Sequence, residues 1–365
     1  MAGVGLDGVT KRFGRHAAVD ALSLDIADGE FFVLLGPTGA GKTTTLRLIA
    51  GLEKPDEGEI AIGGKNVGDW SVAERDVAMV FQYYSLYPRY TVRQNLAFPL
   101  KSKVHRYGPA EIDRRIAGAA RMLRIEHLLD RKTDKLSGGE MQRVSIGRAI
   151  VREPRVFLMD EPLSNLDAKL REALRSELKD LQMRLRATFL FVTHDQIEAM
   201  SMGDKVGVLN HGRIIQVGTP GEIYGAPHDT FVAAFVGTPA MNLIKGELSG
   251  GRIAVPGAFA LPLDDAGRRR LMLNDGPLIV GIRAEDVRLG GEGVAAARVH
   301  HVENHGVEKI VTLRAGDCLF KATVPAMSPV AVEDSVRFAW NQDKVQGFDA
   351  ETGLNRTRHD MAAGG

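Results

Sequence analysis

LSGGEMQRVSIGRAI, residues 136–150, is the stretch on which the reading of this chain turns. Alone, Ser137-Gly138-Gly139 is only a turn, here one that opens a helix. Its meaning comes from what flanks it. Upstream lies GPTGAGKTT, residues 36–44, and downstream the strand-like RVFLMDEP, residues 155–162. Gly36-x4-Gly41-Lys42-Thr43 fits a phosphate-binding loop. Its context fits too, since the apolar run FFVLL (31–35) reads as a buried strand and TTTLRLIAGL (43–52) as a helix. Such glycines let backbone N–H groups converge on phosphate oxygens at a positive helix N-terminus. Lys42 would neutralise β/γ-phosphate charge, and the Thr43 hydroxyl would ligate Mg²⁺.

Two further strand ends carry chemistry. VFLMDE places Asp160 and Glu161 at the carboxyl end of a buried strand, where α/β sheets bind ligands. Asp160 suits a direct or indirect role on Mg²⁺, and Glu161 a general base that polarises water. His194 ends the apolar run in FVTHD and, with the other motifs, reads as a γ-phosphate contact. Phe13 in TKRFG offers a flat face for stacking adenine. Four of the six tyrosines, Tyr83, Tyr84, Tyr87 and Tyr90, crowd behind Gln82 beside Pro88, a composition suited to a protein-interaction surface. GVGLDG (3–8) matches a dinucleotide fingerprint only formally, with no strand before it and no helix after. His300-His301-x3-His305 lies in a strand pattern without carboxylate spacing, which disfavours a metal site.

Composition narrows the class. Lys plus Arg number 47 against 46 Asp plus Glu, a net of +1, so no global basic field points to nucleic acid. Arg268-Arg269-Arg270 reads as a solvated loop face. The one cysteine, Cys318, excludes an intrachain disulfide framework and reads as a small hydrophobe on the alternating strand CLFKATV. The start shows no signal-peptide pattern, and the apolar runs are too short to span a bilayer, so a soluble cytosolic protein is expected.

Alternating strands and helices run to about residue 236. Between them, Pro99 to Arg131 reads as a helical insertion, with Ile112, Ile116, Ala119 and Leu123 at helical spacing. After Asp167, a helix cap, Leu170, Leu174, Leu178, Leu181 and Leu185 form a stripe suited to packing on the sheet, a coiled coil being the alternative. TPGEIY starts another helix. From Gly237 onward, short alternating segments punctuated by Gly, Pro and Asp predict a small all-β domain.

Taken together, these residues resemble the ATP-binding subunits of bacterial carbohydrate-uptake ABC transporters, the maltose and glycerol-phosphate importer type. The resemblance covers essentially the whole chain: MVFQYYSLYPRYTVRQNLAFPLK (79–101), DEPLSNLDAKLR (160–171), VTHDQIEAM (192–200), GIRAEDVRL (281–289) and FDAETG (348–353) all match. It implies an α/β P-loop ABC ATPase domain at 1–236 with a helical subdomain at about 88–150. An all-β regulatory domain of OB-like folds follows at 237–365. It implies ATP held by Phe13 and by Gly36, Pro37, Thr38, Gly39, Ala40, Gly41, Lys42, Thr43 and Thr44. Ser137, Gly138, Gly139 and Asp167 would act in trans, on ATP bound to a second copy. Lys42, Gln82, Glu161 and His194 would be catalytic, Thr43, Gln82 and Asp160 would hold Mg²⁺, and Tyr83, Tyr84, Ser85, Leu86 and Tyr87 would meet the permease. The implied partners are a second copy, two membrane permease subunits and, indirectly, a periplasmic or extracellular solute-binding protein, with no nucleic acid. The implied place is peripheral, on the cytoplasmic face of the inner or plasma membrane. Thr38 and Ala40 stand where Ser and Cys are frequent, and Glu140-Met141 where Gln-Arg is usual. Alternatives are an oxyanion-importer ATPase, or a non-transport ABC ATPase of the repair or translation kind. Repair members insert coiled coils or zinc cysteines, and translation members carry two cassettes.

Overall fold

Continuous apolar runs become the middle of a parallel sheet, and alternating runs become antiparallel sheets with one solvated face. The computed structural model describes residues 2–102, 107–272, 274–291 and 293–357. It divides into two units, Met1–Pro220 and Gly221–Gly365. The first runs β1 (Val4–Phe13), β2 (His16–Ile26), β3 (Phe31–Leu35), α1 (Lys42–Ala50), β4 (Glu57–Ile62), β5 (Lys65–Asn66), β6 (Val77–Val80), α2 (Val92–Ala97), α3 (Pro109–Met122) and α4 (Gly138–Ile150). It continues with β7 (Val156–Asp160), α5 (Ala168–Leu185), β8 (Thr188–Thr193), α6 (Gln196–Met202), β9 (Lys205–Asn210) and β10 (Arg213–Gly218).

One sheet has the order β10-β9-β3-β8-β7-β6, parallel except for β10 at the edge. Every residue of β3, β7 and β8 is buried, as strands covered on both faces require. The other sheet, β2-β1-β4-β5, is antiparallel. On β2, Leu22, Leu24 and Ile26 face inward while Ala21, Ser23 and Asp25 face out. Both sheets and α1 contribute to one apolar core that includes Leu6, Leu24, Leu34, Leu46, Ile49 and Val192, with Trp70 packed at its margin. GVGLDG falls almost wholly in β1.

The carboxyl end of α1 is held by Arg75, only 2% exposed. Its Nη1 donates to the carbonyls of Leu48 (2.7 Å) and Ile49 (2.9 Å), placing a cation where the helix dipole is negative. Gly51 follows at φ 77°, and a Cβ there would lie 2.8 Å from Arg75 Nε.

The leucine stripe packs on its own unit: Leu174, Leu178 and Leu181 are buried, and Gln182 Nε2 donates to Gly29 O at 2.6 Å. Within the helical insertion expected at 99–131, α3 stops at Met122, and Arg124 takes φ 57°. Leu123, Ile125 and Leu128 are all buried, and a continued helix could not bring those three positions to one face.

The second unit opens with α7 (Pro220–Gly225) and α8 (Thr230–Phe235), then β11 (Asn242–Ser249), β12 (Arg252–Val255), β13 (Phe259–Pro262), α9 (Asp265–Arg270), β14 (Gly276–Ile282) and β15 (Val287–Leu289). It ends with β16 (Ala295–Asn304), β17 (Glu308–Ala315), β18 (Cys318–Pro325), β19 (Ser335–Trp340) and β20 (Gln346–Asp349). Two antiparallel five-stranded sheets, β13-β12-β11-β14-β20 and β15-β19-β16-β17-β18, enclose one core. Cys318 is half-buried there, ahead of buried Phe320, Ala322 and Val324, while His300 and His301 are exposed on β16. The arginine triplet 268–270 ends α9 rather than forming a loop.

Helices α7 and α8 go with this unit although the change of composition comes later, at Gly237. The reason is Arg283, 4% exposed, whose guanidinium donates to the carbonyls of Val236 (2.5 Å) and Tyr224 (2.8 Å). It also lies 4.0 Å from the centre of the Tyr224 ring. Burial and the bond to Glu285 push the Tyr224 phenol up to about 12.

Phe338, fully buried, is packed edge-on against Phe259 (5.1 Å between centroids) and beside Phe320 (4.8 Å), with Trp340 5.5 Å from Phe259. Phe338→Ala is expected to destabilise this unit by about 3–5 kcal/mol. Denaturant unfolding followed by Trp340 emission in a Trp70→Phe background would read the loss, and an unmoved midpoint would contradict this account of the core.

Candidate functional site

The carboxyl ends of β3, β7 and β8 deliver three segments to one edge of the parallel sheet: the loop from Gly36, the pair Asp160-Glu161, and His194. The loop is wedged against main chain. A Cβ at Gly36 would sit 2.3 Å from Leu209 O, and one at Gly41, which has φ 106°, 2.2 Å from Ala18 O. Only glycine fits either place. Gly41 then caps α1 without a side chain, leaving the first amides of the helix directed at the loop.

Lys42, 5% exposed, donates through Nζ to Gly36 O and Pro37 O, both at 2.9 Å, and lies 3.5 Å from Glu161 Oε1. Burial disfavours its ammonium, and Glu161 offsets that cost. Thr43 Oγ1 donates to Asp160 Oδ1 at 2.8 Å. Burial raises the Asp160 carboxyl above the ordinary aspartate range, with the Thr43 hydroxyl opposing. A hydroxyl and a carboxylate side by side are the hard oxygen donors that Mg²⁺ takes, and a cation there would relieve the burial penalty on the carboxylate.

Glu161 takes φ 44° at the strand end, its amide bonded to Val192 O at 3.0 Å. Its carboxylate reaches Lys42 on one side and His194 Nδ1, at 3.0 Å, on the other. A carboxylate placed between a cation and an imidazole can accept a proton from water and share it with the histidine.

Gln82 joins this group indirectly. Its Nε2 donates to Ser164 Oγ at 3.3 Å, and Ser164 Oγ donates to Glu161 O at 2.9 Å. Asn165 Nδ2 donates to Gln82 O at 3.0 Å. The sequence reading does not single out Ser164 and Asn165; the available signal is a polar pair beyond Glu161, after Pro162-Leu163. Of the other expected ligands, Thr38 and Gly39 are exposed and Pro37 and Thr44 half-buried. Ala40 is buried, its carbonyl accepting from Gly212 N at 2.9 Å. Phe13 is half exposed at the end of β1, with Lys11 Nζ 5.6 Å from its ring centre.

Of the residues expected to act in trans, Ser137 and Asp167 use their side chains within the copy. Ser137 caps α4 in a reciprocal box: Glu140 N donates to Ser137 Oγ (3.4 Å), and the Glu140 carboxylate accepts from Ser137 N (2.7 Å) and Oγ (2.8 Å). Those bonds hold the Glu140 carboxyl below its ordinary range. Gly138 is approached by the Tyr84 hydroxyl, and a Cβ on Gly139 would meet Leu170 Cδ2 at 2.4 Å. Asp167 caps α5, accepting from Leu170 N at 3.0 Å.

Among the aromatic residues after Gln82, Tyr83 is 74% exposed. Tyr87 is fixed from within, its ring 4.4 Å from that of Phe98 and its amide bonded to Asn95 Oδ1 at 2.9 Å. Arg148 Nη1 donates to Ser85 O at 2.5 Å, and its guanidinium lies 5.0 Å from the Tyr87 ring centre. A cavity of about 110 Å³ opens here, lined by Phe81, Tyr84, Ser85, Pro99, Arg148 and Arg152. Leu86 is half-buried.

Known proteins match the chain over nearly its whole length. A family model described as "ABC transporter" matches residues 19–164, one described as "MalK OB fold domain" residues 237–287, and one described as "TOBE domain" residues 280–348. The trehalose/maltose import ATP-binding protein MalK of Thermococcus litoralis is 48% identical over 97% of this chain and 99% of its own. The xylose/arabinose import ATP-binding protein XacJ of Haloferax volcanii is 45% identical over 100% of this chain and 98% of its own. The sn-glycerol-3-phosphate import ATP-binding protein UgpC of Jannaschia sp. is 45% identical over 97% of this chain and 99% of its own. A solved dimeric structure of an ATP-binding cassette in a post-hydrolysis state, bound to ADP and Pi, is 32% identical. It covers 60% of this chain and 98% of its own, with a TM-score of 0.54.

Proposed function

The chain belongs to the ABC transporter family, among the ATP-binding subunits of sugar importers, and from that premise we propose that it works as a homodimer holding two ATP molecules. Each ATP is sandwiched between the 36–44 loop of one copy and the Ser137-Gly138-Gly139 turn of the other. The observation that carries this reading is a division within one copy. Lys42, Thr43, Asp160, Glu161 and His194 converge at one edge, while Ser137 and Asp167 are occupied as helix caps.

In this reading Lys42 leaves its loop carbonyls for the β/γ-phosphates, Phe13 stacks the adenine, and Glu161 draws a proton from the attacking water with His194 beside the γ-phosphate. Thr43, Asp160 and Gln82 would hold Mg²⁺, which when bound supplies charge neutralisation of the phosphates. Glu161 itself orients the water and receives its proton. The Tyr83–Tyr87 segment and the cavity beside Arg148 take a helix of a membrane permease, and hydrolysis in the pair drives uptake of a sugar or sugar derivative delivered by a binding protein. Among the described residues no helix is long and apolar enough to cross a membrane, which suits a subunit docked on the cytoplasmic face while other chains form the pore.

Mixing two defective copies tests the shared site. Ser137→Arg and Lys42→Ala chains are each expected to hydrolyse little ATP alone. Scrambled dimers of the two should exceed either parent, reaching about a quarter of the wild-type rate for independent sites and less for coupled ones, since half of them carry one intact composite site. A mixture no faster than the mean of its components would overturn the sandwich.

A further inference from the structure

Arg171, in the first turn of α5, reaches out of its helix to two different loops. Its Nη2 donates to Leu166 O at 3.1 Å, next to the Asp167 cap. Its Nη1 bonds Asp195 Oδ2 at 3.2 Å, and its Nε, buried and without a hydrogen-bond partner, lies 3.9 Å from Glu198 Oε1. The Asp195 carboxylate divides its work. Oδ2 takes the arginine while Oδ1 caps α6, accepting from Ile197 N at 2.8 Å and Glu198 N at 3.4 Å. The turn carrying His194 is thus gripped on both sides, because Thr193 Oγ1 accepts from Asp195 N (2.9 Å) and donates to Glu198 Oε2 (2.6 Å).

We infer that Arg171 is a positioning residue that locks the Leu166–Asp167 segment to the His194 turn, so that the part of a copy entering its neighbour's ATP site and the histidine of its own site move together. The inference rests on the two-copy reading above. Through this link, engagement of Asp167 at one site would be felt as a displacement of His194 at the other, and the two sites would fire in concert. A guanidinium suits the task because its fork bonds a carbonyl and a carboxylate at once, which the single ammonium of lysine does less well. The neighbouring Ser164–Glu161 and Asn165–Gln82 bonds tie the same segment to the water-activating group. Glu161, Gln82 and the His194 turn therefore share one short loop.

The test is steady-state ATP hydrolysis by the full chain, comparing wild type with Arg171→Met, Arg171→Lys, Asp195→Asn and the Arg171→Met/Asp195→Asn pair. Asparagine is as good a cap as aspartate, so Asp195→Asn keeps α6 and removes only the ion pair. Expected for Arg171→Met is a kcat about tenfold lower with KM for ATP within about twofold, and a Hill coefficient reduced to one. Asp195→Asn should lose a similar factor, and the double variant no more than the worse single, as for two ends of one link. Arg171→Lys should regain part of the rate. A wild-type kcat and steepness in Arg171→Met would overturn the inference, as would independent, multiplying losses in the double variant. Non-cooperative hydrolysis by the wild type would overturn the inferred coupling as well, whereas failure of the mixed-copy complementation described above would remove the two-copy reading itself, so the two failures are read in different experiments.

Discussion

Glu161→Gln is expected to cut ATP turnover by about 10²–10⁴-fold, while ATP still binds and the pair of copies stays closed around it. Glutamine has the shape of glutamate and keeps the left-handed turn, whose φ of 44° is set by the strand end and by the bond of residue 161 N to Val192 O. It can still meet His194, now 3.0 Å from the carboxylate, and leaves the Ser164 bond to the backbone carbonyl untouched. What it loses is the proton acceptor and one negative charge close to where the γ-phosphate would sit. The chemical step therefore slows while retention of ATP improves. Phosphate release at saturating ATP, together with retention of labelled nucleotide on a desalting column, separates the two effects. Hydrolysis at the wild-type rate would sink the general-base role.

Lys42→Ala acts on binding instead. Charge-assisted hydrogen bonds to phosphate are worth enough that losing them should weaken ATP affinity about 10–100-fold. Without nucleotide the ammonium rests on Gly36 O and Pro37 O and offsets Glu161, so alanine also leaves both carbonyls without that donor and the Glu161 carboxylate with His194 alone. Lys42→Met, which keeps the apolar stem, isolates the charge. Both variants should show the same loss of affinity by calorimetric titration with ATP, with Lys42→Met melting closer to wild type. A normal affinity in either would remove the lysine from the phosphate site.

The strands β3, β7 and β8, whose carboxyl ends carry Gly36, Asp160 and His194, were legible because parallel strands covered on both faces are apolar almost throughout, so FFVLL, VFLMD and TFLFVT mark themselves. The leucine stripe of α5 was readable for the same reason of period. The break after Met122 was not, because it depends on three apolar residues that burial pulls out of helical register. Helices α7 and α8 read as a continuation of what precedes them. Their attachment to the β-rich unit rests on Arg283 bonds to Tyr224 and Val236, contacts that no local pattern announces. The motifs picked out Lys42, Thr43, Asp160, Glu161 and His194, which the fold brings together, but they did not pick out Ser164, Asn165 and Arg171. Their roles are set by which loop they touch across the fold.

The chain has two tryptophans, and the fold puts one in each unit: Trp70 against the core that α1 shares, Trp340 inside the β-rich core. The protein therefore carries its own pair of optical labels. Arg75 Nε lies 3.4 Å from Trp70 O, so that residue hangs from the same arginine that closes α1. A Trp340→Phe chain would leave an indole that watches only the nucleotide-binding half, and Trp70→Phe one that watches only the other.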